Sequence, residues 1–510
     1  MPECSCRVAP DGTPFLDAIR VSKHTRNAFW LVALLTALRF ATAANLPLSF
    51  DEAYFWLWSK HLAVSYYDHP PMIALAIRLG TVLFGDNEFG VRFVPLLASV
   101  AASWAVWRSA SILFTNHKAA ATAACFFNAT LMVAADSMSA TPDSLVLAAA
   151  SFLMLAFVKL EDTGDGRWWL AAGLSLGAAF LMKYTAFFLT GSVALWLFFT
   201  PQGRGWLRSP WPYLGGAIAL VFLIPNLIWN SEHDWISFRF QFGRIVEGGP
   251  TFRYLAEFVG GQLTLASPFI MLLGAVGLVR ETRASSKGGR FSFPAAIIWP
   301  AFVYFAVHAL HDRVQGNWPS FIYPAFIIFA ASAVHREGQN VHVERALKLA
   351  RLLAMPVALA ILTLAYLEAF VGILPMGKFD PVARMTAVGI GPVTTEISSL
   401  VSKNDSAAIA TSRYITTGWL AFYLRPRVPI IQLNEGYRWL EVPHADTSLL
   451  NGSLLYVTQE PDRELSAVTP QFTNVKLIAK IPRMRAGVVV DNFYVYRLSG
   501  FHGAPLGWVL

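Results

Sequence analysis

Two adjacent acids, Asp51 and Glu52, directly follow an apolar run of about twenty residues, the length of a bilayer span. A carboxylate at this depth loses on the order of several kcal/mol of solvation free energy unless it is hydrated or paired. Such acids are candidates for chemistry, and proton transfer with a substrate hydroxyl is the chemistry that suits them. The alternative is an ordinary helix start, because the helix dipole favours acids in the first turn.

A rigid turn follows in the stretch YYDHPPM, residues 66–72. Its two prolines hold the preceding residues in an extended conformation and begin a new helix. Rigid turns suit recognition, so Tyr67, Asp68 and His69 are candidates for contact with a substrate. A re-entry turn with incidental charges is the alternative.

A second pair of acids flanks a short hairpin in DSMSATPDSL, where Asp136 ends one apolar run and Asp143 begins the next. The order Thr141, Pro142, Asp143 is typical of a helix start. Capping explains Asp143 locally, but it does not explain two acids around a hairpin that has no basic partner. Asp143 is therefore a further candidate carboxylate.

Two cations interrupt apolar surroundings later in the chain, Lys183 in FLMKYTAF and Arg313 in HDRVQGNWPSFIYPAF. Lys183 either snorkels to the membrane interface or, if it faces the same cavity as the acids, offers its ammonium to a phosphate. Arg313 is a candidate bidentate phosphate ligand. The same turn and the span after it supply further candidate substrate contacts, Asn317, Trp318 and Tyr323.

The composition of the chain is that of an integral membrane protein, so the elements that position these residues lie in a membrane. Of 510 residues, 55% are hydrophobic and only 14% are charged, which excludes an ordinary soluble protein. The net charge of +8 does not indicate a nucleic-acid partner, because the basic residues fall in short loops between apolar runs. Three cysteines are too few for a disulfide framework or a structural zinc site.

The apolar runs predict a mainly α-helical, polytopic membrane protein with about eleven transmembrane helices. Residues 71–84 are too short to span and begin with proline, so we expect an interfacial helix there. The predicted parts are a cytoplasmic segment 1–26, a transmembrane domain 27–377 with an outward loop 47–88, and a soluble domain 378–510. The predicted spans are 27–46, 89–112, 119–135, 142–160, 168–182, 185–200, 212–229, 254–279, 291–310, 318–335 and 351–374.

Loop charges orient the chain. With residue 1 in the cytoplasm, the cytoplasmic segments hold eighteen Lys and Arg, and the opposite short loops hold six. This positive-inside bias places the polar clusters described above on the outer face. An odd number of spans then places the C-terminal domain outside the cell membrane as well. That domain alternates β-branched stretches with polar turns and is predicted to be a small α/β domain; the stretches are AAIATSRY, VPIIQL, SLLYVTQ, NVKLIAKI and FYVYRL.

An outward cavity with acids beside cations, in a chain without GxxxxGKS or GxGxxG, indicates a substrate that arrives through the membrane. A sugar on a polyprenyl phosphate fits, because its tail lies between spans, cations hold the phosphate and a carboxylate activates an acceptor hydroxyl. The order DE, DHPP, TPD, FLMKYTAF and NWPSFIYPAF resembles the GT-C superfamily of membrane glycosyltransferases. Within it, residues 27–375 resemble the family 39-like group, which includes protein O-mannosyltransferases and bacterial aminoarabinose and galacturonic acid transferases.

This resemblance implies roles for individual residues. Asp51 matches the general base, Glu52 shapes the site beside it, and Asp143 matches the acid of the second loop, which helps to position the acceptor. Lys183 and Arg313 match phosphate ligands of the donor.

Related enzymes often carry Lys where this chain has His69, so its phosphate contact depends on pH. No cofactor or metal is required by the resemblance, although a divalent ion between Asp51 and Asp143 remains open. The expected partners are a polyprenyl-phosphate sugar donor, an envelope glycolipid, polysaccharide or protein acceptor, and membrane lipids, with the bacterial inner membrane as location. Two other classes remain as alternatives: a transporter or flippase for a polar lipid-linked solute, and an envelope assembly subunit without catalysis.

Overall fold

The computed structural model describes residues 23–114, 116–243, 249–285, 289–336, 341–444, 447–503 and 508–509. Of the predicted N-terminal segment 1–26, residues 1–22 lie outside the described residues. As predicted, the described chain is mainly helical and carries one small sheet near its C-terminal end.

Each predicted span coincides with a helix or with a pair of helices joined at a bend. The predicted short helix after the two prolines is also present, as α3. The helices of this first part are α1 Lys23–Asn45, α2 Phe50–Trp58, α3 Met72–Phe84, α4 Glu88–Leu113, α5 His117–Ala129, α6 Leu131–Met138, α7 Pro142–Thr163, α8 Trp168–Met182, α9 Ala186–Phe199, α10 Pro201–Trp206, α11 Trp211–Glu232, α12 Ile236–Gly243, α13 Arg253–Ala266, α14 Pro268–Ser285, α15 Ser292–His308, α16 Tyr323–His335 and α17 Val341–Val371.

The helices differ in their ability to cross a bilayer alone. Among the described residues, five helices are long and apolar enough: α1, α4, α7, α11 and α17. Two further candidates are bent pairs, with 60° between α5 and α6 and 101° between α13 and α14. The second bend has a local cause, because Pro268 cannot donate a backbone hydrogen bond and Ser267 before it adopts a φ of 73°. The remaining predicted spans are shorter apolar helices, α8, α9, α15 and α16.

The C-terminal part contains a six-stranded sheet with the order β4-β5-β3-β1-β2-β6. Its middle strands β3, β1 and β2 are parallel, and the outer strands pair antiparallel. All five predicted strand segments are confirmed. The elements are α18 Pro381–Met385, α19 Ile390–Lys403, β1 Ala408–Thr411, α20 Tyr414–Tyr423, β2 Ile430–Gln432, α21 Thr447–Asn451, β3 Leu454–Thr458, α22 Pro461–Val468, β4 Phe472–Arg485, β5 Val488–Phe501 and β6 Trp508–Val509.

The C-terminal part docks on the loop that follows α1. The backbone of Ala387 donates to the Leu48 carbonyl at 2.9 Å, and the Leu48 amide donates to the Tyr423 hydroxyl at 2.7 Å. Helix α20 packs directly on α2, and a Cβ at Gly418 would lie only 3.0 Å from the backbone nitrogen of Tyr54. The two helices therefore touch backbone to backbone at this glycine, and the first loop is held between the bundle and the sheet.

We expect Gly418→Val to separate α20 from α2. The branched side chain would overlap the α2 backbone, and such overpacking typically costs about 1–3 kcal/mol. Gly391→Val in α19 is the matched control, because a Cβ there meets nothing within 4 Å. Thermal unfolding of the purified protein in detergent should show a lower Tm for Gly418→Val than for Gly391→Val. Equal values for the two variants would contradict the close contact.

Candidate active site

The two acids after α1 differ in their surroundings, although they are neighbours in sequence. Ser49 caps α2, and its backbone amide donates to Glu52 Oε2 at 2.8 Å while its hydroxyl accepts the Glu52 amide at 3.2 Å. This reciprocal arrangement is a capping box. The ordinary helix-start interpretation therefore applies to Glu52.

Glu52 is fully buried and uses both carboxylate oxygens for protein contacts. Arg92 of α4 donates to both oxygens at 2.7 Å, and the Ala140 amide donates to Oε1 at 2.9 Å. With the Ser49 amide this makes four hydrogen bonds. A carboxylate so occupied is better suited to holding α2, α4 and the 139–141 turn together than to acting on a substrate. The predicted shaping role of Glu52 fits this geometry better than a catalytic one.

Asp51 has the opposite environment. It is half-buried, and the described residues include no side-chain hydrogen bond or ion pair to its carboxylate. Burial, followed by the negative charge of Asp68, raises the pKa of Asp51 to about 7, although the cation Arg438 opposes the shift. Asp143 adds a smaller effect in the same direction as Asp68. Within the described part of the chain, the Asp51 carboxylate thus has no hydrogen-bond or ion-pair partner although charged groups lie around it, and its pKa is raised to about 7.

Asp143 and Lys183 form a buried ion pair across two helix ends. The Lys183 ammonium, at the C-terminal end of α8, donates to Asp143 Oδ1 at 2.6 Å. Asn317 donates to the other oxygen, Oδ2, at 2.9 Å. The structure therefore brings together three predicted site residues that are up to 174 positions apart in sequence. Asp136 is buried nearby, and its Oδ2 has no hydrogen-bond partner among the described residues.

Asp68 of the first loop binds an arginine from the C-terminal part. Arg438 donates to Asp68 Oδ2, to which the Tyr54 hydroxyl also donates at 2.9 Å. The Gln241 side chain donates to the Asp68 carbonyl at 2.8 Å, which fixes the backbone of this turn. The ring of His69 lies 6.0 Å from that of Phe55. The predicted contact residue Asp68 is therefore part of a network that includes the C-terminal part.

Four tyrosine rings surround the Arg438 guanidinium. Its centre lies 4.4 Å from the Tyr414 ring and between 5.5 and 5.7 Å from the other three, which belong to Tyr54, Tyr67 and Tyr437. Cation–π contacts of this kind favour the charged form. Burial works against the charge, but Asp68 and the other acids hold the pKa of Arg438 above its usual value. This cage also places the predicted contact residue Tyr67 at the site.

The sequence interpretation missed Arg438. It lies in NEGYRW, in a domain to which no site residue was assigned. The only local signal is an arginine between two aromatic residues, which is common on protein surfaces. Its importance arises from an ion pair between positions 370 residues apart.

Three further predicted residues, Arg313, Trp318 and Tyr323, make contacts of other kinds. Arg313 is mostly exposed, with 59% of its side chain accessible, and pairs with Glu257 at 2.9 Å. Tyr323 is buried and donates to Gln262 at 2.9 Å. Trp318 packs near Phe305 and His308. Among the described contacts, none joins these three side chains to Asp51, Asp143 or Lys183.

The site offers little to a metal ion. Within the described ranges, no three His, Cys, Asp or Glu side chains converge as metal ligands would. Each oxygen of Asp143 already accepts one hydrogen bond, from Lys183 or from Asn317, so a divalent ion bridging Asp51 and Asp143 would share these oxygens with two donors. Independence from metals and cofactors stays a prediction.

Comparison with known proteins agrees with the sequence-based resemblance. A family model described as dolichyl-phosphate-mannose-protein mannosyltransferase matches residues 68–229, a range that contains Asp68, Asp143 and Lys183. The lipid A galacturonosyltransferase RgtD of Rhizobium johnstonii is 28% identical over 299 residues, which are 56% of this chain and 62% of the relative. The undecaprenyl phosphate-alpha-4-amino-4-deoxy-L-arabinose arabinosyl transferase 1 of Pseudomonas fluorescens is 28% identical over 261 residues, 46% of this chain and 45% of the relative.

These two matches span less than two thirds of the relatives' own length. The fold is similar along nearly the whole chain. The crystal structure of ArnT from Cupriavidus metallidurans bound to undecaprenyl phosphate superposes with a TM-score of 0.61 at 16% identity, covering 92% of this chain and 98% of that one. The predicted resemblance to the GT-C membrane glycosyltransferases is confirmed.

We expect removal of Arg92 to destabilise the whole site region. In Arg92→Met the fully buried Glu52 carboxylate loses its charge partner, and breaking a buried pair in this way costs about 3–5 kcal/mol. The control is Arg167→Met, which removes an exposed pair with Asp165 and should change stability by less than about 1 kcal/mol. Tm values in detergent measure the difference, and a Tm for Arg92→Met equal to that of the wild type would refute the structural role of the pair.

Proposed function

We propose that this protein is a membrane glycosyltransferase that moves a sugar from a polyprenyl-phosphate donor to a hydroxyl group of a cell-envelope acceptor. The relatives named above support the reaction class, since both are named as sugar transferases. The observation that carries the proposal is Asp51, a carboxylate with a pKa raised to about 7 that lies among charged groups from several loops. A glycolipid or polysaccharide is the acceptor class that we favour.

Asp51 is the general base in this proposal. It accepts the proton of the acceptor hydroxyl as the acceptor oxygen attacks the anomeric carbon. The bond from that carbon to the lipid phosphate breaks, the phosphate leaves with the electron pair, and the configuration inverts. A base with a pKa near the working pH suits this step. A substantial fraction of it is ionised at that pH, and it is still basic enough to accept the proton of the hydroxyl.

Two cations, buried Lys183 and half-buried Arg438, stabilise the leaving phosphate in this proposal. Lys183 is bound to Asp143, and Arg438 is bound to Asp68. Each cation has further N–H groups beyond those bound to its carboxylate. The phosphate of the lipid substrate can therefore bind the cation beside the carboxylate or in its place. Asp143 and Asn317 then position the acceptor.

Arg313 and His69 stay candidates for the donor phosphate. Arg313 would first have to leave Glu257, because its guanidinium is bound there on an exposed surface. The other predicted contacts, Tyr67, Trp318 and Tyr323, stay proposals for substrate binding. Of these, Tyr67 is the one that contacts the Arg438 cage.

The proposed membrane arrangement has eleven spans, with the site and the C-terminal domain on the periplasmic face of the bacterial inner membrane. Loops predicted to face outward do meet at one end of the bundle, through Glu52 with the Ala140 amide and Asn317 with Asp143. Loops predicted to be cytoplasmic meet elsewhere, through Arg280 with Glu344. This separation of the two sets of loops supports their assignment to different faces, and the direction of the chain rests on the loop charges alone.

We expect Asp51→Asn to abolish transfer. Loss of a general base lowers rates by about 10²–10⁴-fold. The wild-type rate should fall as the pH drops below about 7, because Asp51 then holds a proton. Radiolabelled sugar transfer from a polyprenyl-phosphate donor to envelope lipids measures both effects. Wild-type rates in Asp51→Asn, or a rate that stays flat between pH 5 and pH 8, would rule out this base.

The unfolding temperature of Asp51→Asn shows whether a loss of activity is due to misfolding. The pKa of Asp51 is higher in the folded protein than in the unfolded chain. The contribution of Asp51 to the free energy of unfolding therefore falls as the pH rises from the unfolded-state pKa to the folded-state pKa. Asparagine carries no charge, so Asp51→Asn should unfold at the same temperature as the wild type at pH 8, or at a higher one. Asp165→Asn, an exposed surface change, should retain full transfer activity.

We expect substitution of Arg438 to raise the apparent KM for the polyprenyl-phosphate sugar donor. Arg438→Lys keeps a charge near Asp68 but loses the planar fork that can hold two oxygens, so the apparent KM for the donor should rise about tenfold or more. Arg463→Lys is the matched control, because its side chain is 76% exposed in the same domain. Donor titrations with both variants at saturating acceptor measure the effect. A donor KM for Arg438→Lys equal to that of Arg463→Lys would remove Arg438 from the site.

A further inference from the structure

A separate cavity of about 120 Å³ lies in the seam between α2 and the C-terminal part. Its walls come from both sides of this seam, and its floor is apolar. At its mouth stand two cations, Lys60 from the first loop and Arg427 from the C-terminal part. None of the predicted site residues lines it, and its lining includes Trp56, Lys60, His61 and Arg427.

Both cations are anchored on one indole ring and share one acid. The Lys60 ammonium lies 5.1 Å and the Arg427 guanidinium 5.5 Å from the Trp56 ring centre. Lys60 and the Trp56 indole N–H donate to Asp86 Oδ1 at 2.6 and 2.8 Å. Arg427 lies 3.6 Å from the other oxygen, Oδ2. The Trp56 ring thus contacts both cations that line the cavity.

The mouth keeps a positive charge at neutral pH. Burial opposes the charge of Asp86, but hydrogen bonds from Lys60 and Trp56 lower its pKa overall, so it neutralises one cation. Burial lowers the pKa of His61, which therefore adds a neutral ring. One positive charge remains, and Arg427, with 55% of its side chain accessible, retains unused guanidinium donors. Phosphate oxygens are the ligands that suit this arrangement.

An apolar helix face ends at the same place. Helix α3 runs towards Asp86, which follows its last residue by two positions. Along one side it exposes a row of large apolar side chains, Leu75, Leu79, Val82, Leu83 and Phe84, with 43 to 66% of each accessible. In a membrane such a face contacts acyl chains. A surface that joins this row to a cationic cavity matches an amphiphile with an apolar tail and an anionic head.

We propose that the seam cavity binds the phosphate headgroup of an anionic membrane lipid, whose acyl chains lie along the exposed face of α3. Lys60 and Arg427 hold the phosphate, and Trp56 forms the wall beneath them. Because these residues come from the two parts that enclose the candidate active site, a bound lipid joins both parts at the bilayer surface. The proposal requires the chain to lie in a membrane but does not depend on sugar transfer.

Native mass spectrometry of the full-length protein tests this site. The protein in neutral detergent is titrated with phosphatidylglycerol and, separately, with phosphatidylcholine. We expect retention of one phosphatidylglycerol at a concentration about tenfold lower than phosphatidylcholine. The double variant Lys60→Ala/Arg427→Ala should lose this preference, and the control Arg463→Ala/Lys480→Ala, a basic pair in the same part of the chain, should keep it. Equal preference in the two double variants would overturn the proposal.

Two further arms separate the lipid from a free anion and from the proposed active site. Leu79→Ser/Val82→Ser on the face of α3 should reduce phosphatidylglycerol retention, and millimolar inorganic phosphate should compete weakly. If inorganic phosphate displaces the lipid completely and the α3 variant binds normally, the site holds free anions and the lipid proposal is wrong. Asp51→Asn should retain phosphatidylglycerol like the wild type, and a loss of retention there would also contradict a separate site. Wild-type Tm values for all variants establish that they fold.

Discussion

The buried ion pair between Glu52 and Arg92 is the constraint on which the candidate site depends. Arg92 binds both oxygens of Glu52 and also donates to three backbone carbonyls at the end of α1 and after it, those of Ala43, Leu46 and Pro47. One guanidinium thus fixes where the chain leaves the bundle and where α2 begins. Because a pair of buried charges tolerates little displacement, the direction of Asp51, one residue before Glu52, is fixed with it.

Among the described residues, two of the acids in the site are paired with cations, whereas Asp51 and Asp136 have no ion-pair partner. Lys183 neutralises Asp143, and Arg438 neutralises Asp68. Each pair joins segments that are remote in sequence, so each also holds the bundle loops or the C-terminal part in place. Asp51 differs from buried Asp136 in being only half-buried, so a substrate can reach its carboxylate. The raised pKa of Asp51 follows from that arrangement, because burial and the acidic neighbours, Asp68 first among them, outweigh the opposing charge of Arg438.

The C-terminal part is therefore a component of the site rather than an appendage. Its α20 contacts α2 at Gly418, and its NEGYRW turn places Arg438 within the tyrosine cage. The same docking creates the seam cavity with Lys60 and Arg427 on its two sides. A polar site at the end of an apolar bundle needs such a cover, since a low-dielectric environment strengthens every charge interaction inside it.

The sequence by itself determined the apolar helices, the strand segments and the polar clusters, because each depends on local chemistry. Apolar runs, prolines and turn residues act over a few neighbouring positions, and for this reason the predicted spans and the five strand segments coincide with structural elements. The loop charges also placed Asp143, Lys183 and Asn317 on one side of the membrane, where the structure brings them together. They did not determine which residues of that side meet, because Arg313 of the same loop pairs with Glu257 instead. Tertiary structure alone decided which acid is paired and which is not. Glu52 and Asp51 are adjacent and chemically alike, and the difference between them comes from Arg92, 40 residues away. The same reason explains Arg438 and Arg313, whose acidic partners lie 370 and 56 positions away. An ion pair between residues so far apart leaves no mark in the local sequence, so an arginine of the candidate site and an arginine of the surface look the same until the chain folds.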